Sequence, residues 1–337
     1  MQRNQIYQSP FLFILFVLLS SNSIPLYAST LTSDCAFIAD NKQRLACYDQ
    51  ADNPNSSLVG QGSEFSFTED TAADYLNRTW ELSKRFKAGT FRFRPYNPNA
   101  VLLWRNSNNP NTAPFTPTQT APVNTTIQSN ELRYQLSFKT KLWQNVLGSS
   151  LDLWFGYTQQ SNWQIYNQDT SSPFRETNYE PELILTIPMH TKILGFNWKL
   201  LNIGLSHQSN GRSNPYSRSW NRTYLKASFE HKKFLLAISA WQRLSELPIN
   251  DDNPDINMFM GSGDIRLTWV GQDNKLSILG RYSFGGDNGA LQLSWVFPLR
   301  GHLKGYAEYF SGYGESLIDY NHNQKIFGLG LLISTWP

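Results

Sequence analysis

A chain of 337 residues with a formal net charge of +3 is long enough for one large domain, and its basic residues form no run of the kind that follows a nucleic-acid backbone. Aromatic residues make up 14% of it and mean hydropathy is −0.44, a value reached both by water-soluble domains and by walls that alternate lipid-facing with lumen-facing residues. Beyond the N-terminal leader no apolar stretch reaches 18 residues, which excludes helical membrane spans.

Arg3 followed by the nearly unbroken apolar run Phe11–Ser20 reads as an export signal, too short to cross a bilayer. Cleavage after Ala28 would remove residues 1–28 and start the mature chain near Ser29, although Leu26 is larger than the small residue such sites prefer. In an exported chain Cys35 and Cys47 read as one small disulfide loop, the alternative being a pair of free thiols; a metal site would need further ligands nearby. Residues 29–88 contain these cysteines, an Asn/Ser/Gly-rich stretch over 54–63 and little period-two pattern, and are expected to form a partly disordered periplasmic extension.

From residue 89 to 337 the pattern becomes segments of about ten residues in which apolar residues alternate, separated by Asn/Gly/Pro/Asp clusters. Leu151, Leu153, Phe155 and Tyr157 alternate with Asp152, Trp154 and Gly156; Leu291, Leu293, Trp295 and Phe297 with Gln292 and Ser294; Phe327, Leu329, Leu331 and Ile333 with Gly328, Gly330 and Ser334. A period of two makes one face of each strand apolar. A soluble sandwich shows the same alternation. Glycine and short polar residues on the opposite face, aromatics near strand ends (Trp143, Trp163, Trp269, Trp336) and the export signal favour a membrane barrel, with lipid outside and polar groups inside. The expected fold is therefore all-β, a transmembrane antiparallel up-and-down β-barrel of about twelve strands. They are placed near 89–105, 130–143, 149–164, 175–190, 194–208, 218–231, 233–246, 256–270, 273–284, 287–298, 301–311 and 324–336.

Two strands carry polar groups in the apolar phase. Leu201, Ile203 and Leu205 are followed in phase by His207 and Ser209, and on the next strand Asn221 is in phase with Leu225, Ala227 and Phe229. Polar groups in a lipid-facing stripe are costly and are functional suspects. A serine hydroxyl needs a base to take its proton, and the base needs a third group to hold its ring in the useful tautomer; Ser209, His207 and Asn221 supply those roles. With Asn in the third place the ring is oriented without a buried negative charge. No G-x-S-x-G elbow occurs, which counts against a soluble esterase. If both termini are periplasmic, the turns holding Ser171, Gly211, Asp252 and Tyr313 all fall on the outer rim.

The stretch His207–Arg222, with Ser171–Pro181, Asp251–Ile256 and Ser311–Asn321, resembles the outer-membrane phospholipase A family, and the resemblance covers essentially the whole barrel. It implies a calcium-dependent enzyme of the bacterial outer membrane that hydrolyses acyl esters of membrane phospholipids and lysophospholipids with His207, Ser209 and Asn221, the Gly211 N–H serving the oxyanion. It further implies calcium held by the backbone oxygens of Ser171 and Arg212 and the hydroxyl of Ser217, with a further site at Asp252 and Asn214. The family commonly has Asp at the position of Asn214, so one charge is missing there. Gln159 continues the phase of Leu151–Tyr157 toward lipid, where the family uses a glutamine at a homodimer contact. Dimerisation along that wall would enclose an otherwise open site and activate it. The rival reading is a non-enzymatic barrel, porin-like or structural, which would have no reason to place His207, Ser209 and Asn221 outward.

Overall fold

A computed structural model describes residues 74–334 except His302. The export signal, the Cys35/Cys47 pair, residues 29–73 of the expected extension and Trp336 lie outside the described residues.

The strands are β1 (Phe93–Pro95), β2 (Asn99–Ser107), β3 (Asn130–Trp143), β4 (Asp152–Trp163), β5 (Phe174–Ile193), β6 (Phe196–Ser209), β7 (Ser219–His231), β8 (Phe234–Leu244), β9 (Gly263–Val270), β10 (Lys275–Ser283), β11 (Asn288–Arg300), β12 (Leu303–Gly312) and β13 (Gln324–Ser334). β1 pairs antiparallel with β3, each of β2 to β13 pairs antiparallel with the next strand in sequence, and β13 pairs back onto β2. The twelve strands β2–β13 thus close a barrel with no free edge, the condition for exposing a sheet to lipid. The alternation read from the sequence is the alternation of the wall. Leu205, Leu225, Ile238, Ile265, Ile278, Leu293 and Leu329 stand exposed on the outside, while Asn202, Ser206, Ser228, Thr268, Ser277 and Ser294 are buried inside.

Two segments depart from the expected strands. The first, placed at 89–105, is broken into β1 and β2, which both lie along β3. Pro98 cannot donate a ladder bond, and side chains take over at the break: Asn97 N–H donates to Ser137 Oγ at 3.1 Å and Ser137 N–H to Asn99 Oδ1 at 2.6 Å. The second, 256–270, begins not as a strand but as the helical turn α2 (Ile256–Met260), and β9 starts only at Gly263. Ile256 and Met260 share the face that packs on Trp220, Leu317 and Tyr320, and a spacing of four puts two residues on one face of a helix and of a strand alike, so the period does not separate the two.

The barrel interior is polar and ion-paired. Arg105 bridges Glu131 at 2.5 Å and Glu315 at 2.6 Å, Arg133 lies 2.7 Å from Glu308, and Arg175 spans Glu131 and Asp319 at 2.5 and 2.9 Å. Removing one member of a buried pair strands its partner's charge, at a cost of about 3–5 kcal/mol. Glu131→Leu leaves Arg105 and Arg175 short of a carboxylate, so it is expected to lower the denaturant midpoint of the detergent-folded barrel, followed by tryptophan fluorescence. An unchanged midpoint would show that water satisfies these groups equally well.

One mouth is filled by α1 (Tyr75–Trp80), whose Leu76 and Trp80 pack with Trp154, Ile184, Leu200, Leu235 and Val270 of the inner wall. Its free Leu76 N–H donates to Glu230 Oε1 at 2.5 Å, and Trp80 covers the Lys139 ammonium, 3.2 Å from the ring centroid. At the opposite rim the longer connections knit together. Arg175 reaches Asp319, Leu317 N–H donates to Asn178 Oδ1 at 3.0 Å, and Gln119 donates to Asp252 Oδ1 at 2.8 Å.

Candidate active site

β6 and β7 pair so that His207 faces Asn221 and Ser209 faces Ser219 across the ladder. Leu205 and His207 are exposed while Ser206 between them is buried, so the imidazole stands on the outer wall, and Ser209, two residues on, shares its phase. His207 Nδ1 lies 2.8 Å from Asn221 Oδ1. Since Oδ1 can only accept, the contact requires the proton on Nδ1 and leaves Nε2 with its lone pair. On the other flank the β5–β6 ladder passes from Tyr179↔Ser209 directly to Glu182↔Ser206, because Pro181, in the rung of His207, has no N–H to give.

The 210–218 turn between β6 and β7 is held by the buried Asn210, whose amide donates to Tyr216 O at 2.8 Å and accepts from Arg218 N–H at 3.0 Å and Arg212 N–H at 3.3 Å. Gly211 sits in this turn at φ 63, a conformation side chains disfavour, and an added Cβ would come 3.3 Å from the Tyr179 ring. The Arg212 guanidinium is anchored to Arg175 O at 3.0 Å and lies over the Tyr216 ring.

Of the expected calcium ligands, Ser217 and Asp252 are brought together, Ser217 Oγ donating to Asp252 Oδ2 at 2.5 Å. Ser171 ends a short helical turn at φ 58, its N–H donating to Gln168 O, and Asn214 is exposed in the 210–218 turn. Among the described residues no hydrogen bond ties either of them to the Ser217–Asp252 pair. Nor do three or more His, Cys, Asp or Glu side chains gather there, so a cation would rely on hydroxyl and backbone oxygens. Hydroxyl, carboxylate and amide oxygens are hard donors of the kind calcium takes, and in that respect the set fits.

Gln159 lies on β4 in the outer phase; it accepts from Tyr157 Oη at 3.1 Å and donates to Ser161 Oγ at 3.3 Å. It pairs with Tyr179, and Tyr179 pairs with Ser209, so Gln159 and Ser209 share one rung two strands apart.

Two residues escaped the sequence reading. Gln119, on the β2–β3 connection, reaches Asp252, and Glu246, past the end of β8, accepts the Asn221 amide at 3.0 Å. Neither carries a local signal, since each is a polar residue in a polar connection that meets the site only through the closed fold.

Comparison with known proteins assigns this architecture. The family profile described as Phospholipase A1 matches residues 76–333. A relative from Neisseria meningitidis serogroup B is 39% identical over 349 aligned residues, 89% of this chain and 90% of its own. The phospholipase A1 of Escherichia coli K12 is 39% identical over 207 residues, 61% of this chain and 71% of its own. Among solved structures, outer membrane phospholipase A from Escherichia coli superposes with a TM-score of 0.65 at 34% identity, covering 72% of this chain and 99% of that one. The Salmonella typhi outer membrane phospholipase, a dimer with bound calcium, gives 0.66 at 33% identity, covering 76% and 96%. The match runs along nearly the whole wall of the barrel, and the chain belongs to the phospholipase A1 family of the bacterial outer membrane.

Proposed function

We propose that this chain, a carboxylic ester hydrolase by its family, cleaves acyl esters of membrane phospholipids and lysophospholipids with Ser209, His207 and Asn221 on its outer wall. The observation that carries the reading is the 2.8 Å contact of His207 Nδ1 with Asn221 Oδ1 on a lipid-facing surface. With Nδ1 protonated, Nε2 takes the Ser209 proton as Oγ attacks the ester carbonyl. The imidazolium then returns that proton to the departing glycerol oxygen, leaving an acyl-serine. Water, deprotonated by the same Nε2, attacks the acyl-serine; the fatty acid leaves and the proton goes back to Ser209. The Gly211 N–H is the backbone donor for the oxyanion, its turn held by Asn210.

Ser217 and Asp252, with the backbone oxygens of Ser171 and Arg212, are the residues that would hold calcium. A bound cation would supply Lewis-acid help to the negative charge that develops on the ester oxygen. Asn214 brings an oxygen without charge, and a second cation at Asp252 would be held correspondingly less firmly. The dimeric, calcium-bound relative supports the cation and a homodimer; Gln159, in the outer phase of β4, is the residue we place at the seam.

The deciding experiment is fatty-acid release from phospholipid by the purified, detergent-folded chain, with calcium and with chelator. Calcium-dependent release is expected. Ion conductance in planar bilayers with no release of fatty acid would favour the non-enzymatic barrel instead. Ser217→Asn is expected to raise the calcium concentration that gives half-maximal release, measured by titration in the same assay; an unaltered titration would remove Ser217 from the ligand set.

A further inference from the structure

We propose that Glu246 is a positioning residue of this site, its carboxylate fixing which end of the Asn221 amide faces His207. The inference rests on the triad reading given above. An asparagine amide is nearly symmetric in shape, and its two ends can exchange by rotation. With Oδ1 toward the ring, Nδ1 carries the proton and Nε2 is free to act as base. With Nδ2 toward the ring, Nδ1 must accept, the proton moves to Nε2, and the base is lost. An aspartate has no such ambiguity, since both of its oxygens accept. An asparagine in this place needs something else to break the symmetry.

Glu246 does so. A carboxylate can only accept, and Asn221 Nδ2 donates to Glu246 Oε1 at 3.0 Å while Oδ1 faces His207 at 2.8 Å. That bond is the one hydrogen bond of the Glu246 carboxylate among the described residues. Its neighbours Leu247 and Ile249 are 68% and 91% exposed, so packing around them does not explain where Glu246 sits. The frame beneath is firm, because Asn221 pairs with Leu244 across β7 and β8 and Asn253 Oδ1 accepts the Ser219 N–H at 2.9 Å. The charged groups facing Glu246 are Arg243, Asp251 and Asp252, and Arg243 is held by Asp251 at 2.6 Å. Burial pushes the Glu246 carboxyl up, with Arg243 opposing and Asp251 adding to the rise. A negative charge one amide away also favours the imidazolium that forms during turnover, a contribution the neutral Asn221 cannot make.

The test compares wild type, Glu246→Gln and Glu246→Asp in the detergent-folded full chain at saturating calcium, with kcat and KM measured for a lysophospholipid. Gln keeps the shape but can donate as well as accept, so the amide of Asn221 is no longer forced. The expected result is a fall in kcat of about tenfold in Glu246→Gln with KM little changed, the size seen for outer-shell groups that orient metal-bound histidines. Glu246→Asp should recover most of the rate. An unchanged kcat, or no recovery by Asp, would each overturn the proposal in a variant that still migrates as a folded, heat-modifiable barrel. Ser209→Ala run alongside separates the two levels. Activity there would sink the triad itself, whereas an inactive Ser209→Ala beside a normal Glu246→Gln would sink only the role given to Glu246.

Discussion

Ser209→Ala and His207→Ala are each expected to reduce fatty-acid release by at least about 10⁴-fold, because nucleophile and base act as a unit and the loss of either leaves only binding and oxyanion stabilisation. The barrel itself should survive both changes. His207 is exposed on the outer wall and Ser209 shares its phase, so the pairs and packing that fill the lumen are left intact, and alanine suits a lipid-facing position better than either. The check is release of labelled fatty acid beside the heat-dependent gel shift of the folded barrel. Near-normal release from either variant would remove the triad. Asn221→Ala should lose less, since a ring held only by its surroundings still samples the productive tautomer. If Asn221→Ala matched Ser209→Ala, orientation by the amide would have to be counted as indispensable.

How much of this was legible beforehand follows from the range of each interaction. Strand phase is local, so Leu205, His207 and Ser209 could be put on one face from their spacing alone, and the wall confirms it. The outward turns could be grouped on one rim because alternation of turns is a consequence of up-and-down topology. What failed was local in another sense. Ile256 and Met260 sit inside a connection, where a single helical turn is set by packing on Trp220 and Tyr320 rather than by sequence period. The break between β1 and β2 is signalled by Pro98, but the Ser137 and Asn99 bonds that allow it come from a strand some forty residues on. Glu246 and Gln119 were invisible for the same reason, their partners being 25 and 133 residues away.

Removal of calcium is expected to abolish release and to collapse a homodimer together, the second large effect. A site on the outer wall has only lipid opposite it, so a lone barrel offers a poorly enclosed cleft, and a two-fold partner placed along the same wall would supply a second side and exclude water. The rung Gln159–Tyr179–Ser209 gives that idea a distance. Two strand spacings are about 10 Å, so a seam running through Gln159 would lie within one side chain's reach of the Ser209 neighbourhood. Ser171 caps the β4–β5 connection on the Gln159 side, whereas Arg212 and Ser217 belong to the β6–β7 turn, and no hydrogen bond joins the two sets among the described residues of one barrel. A cation drawing on Ser171 of one barrel and Arg212 and Ser217 of the other would complete its shell only in the dimer. Amide contacts in lipid are worth about 0.6 to 2 kcal/mol, so Gln159→Ala should weaken association roughly 3- to 30-fold, and the dimer should depend chiefly on calcium and bound substrate. Cross-linking yield and fatty-acid release, measured on the same samples with calcium, with chelator and with a substrate analogue, should rise and fall together. An enzyme that stayed strictly monomeric at full activity would rule the arrangement out, and dimers that persisted unchanged in chelator would remove calcium from the seam.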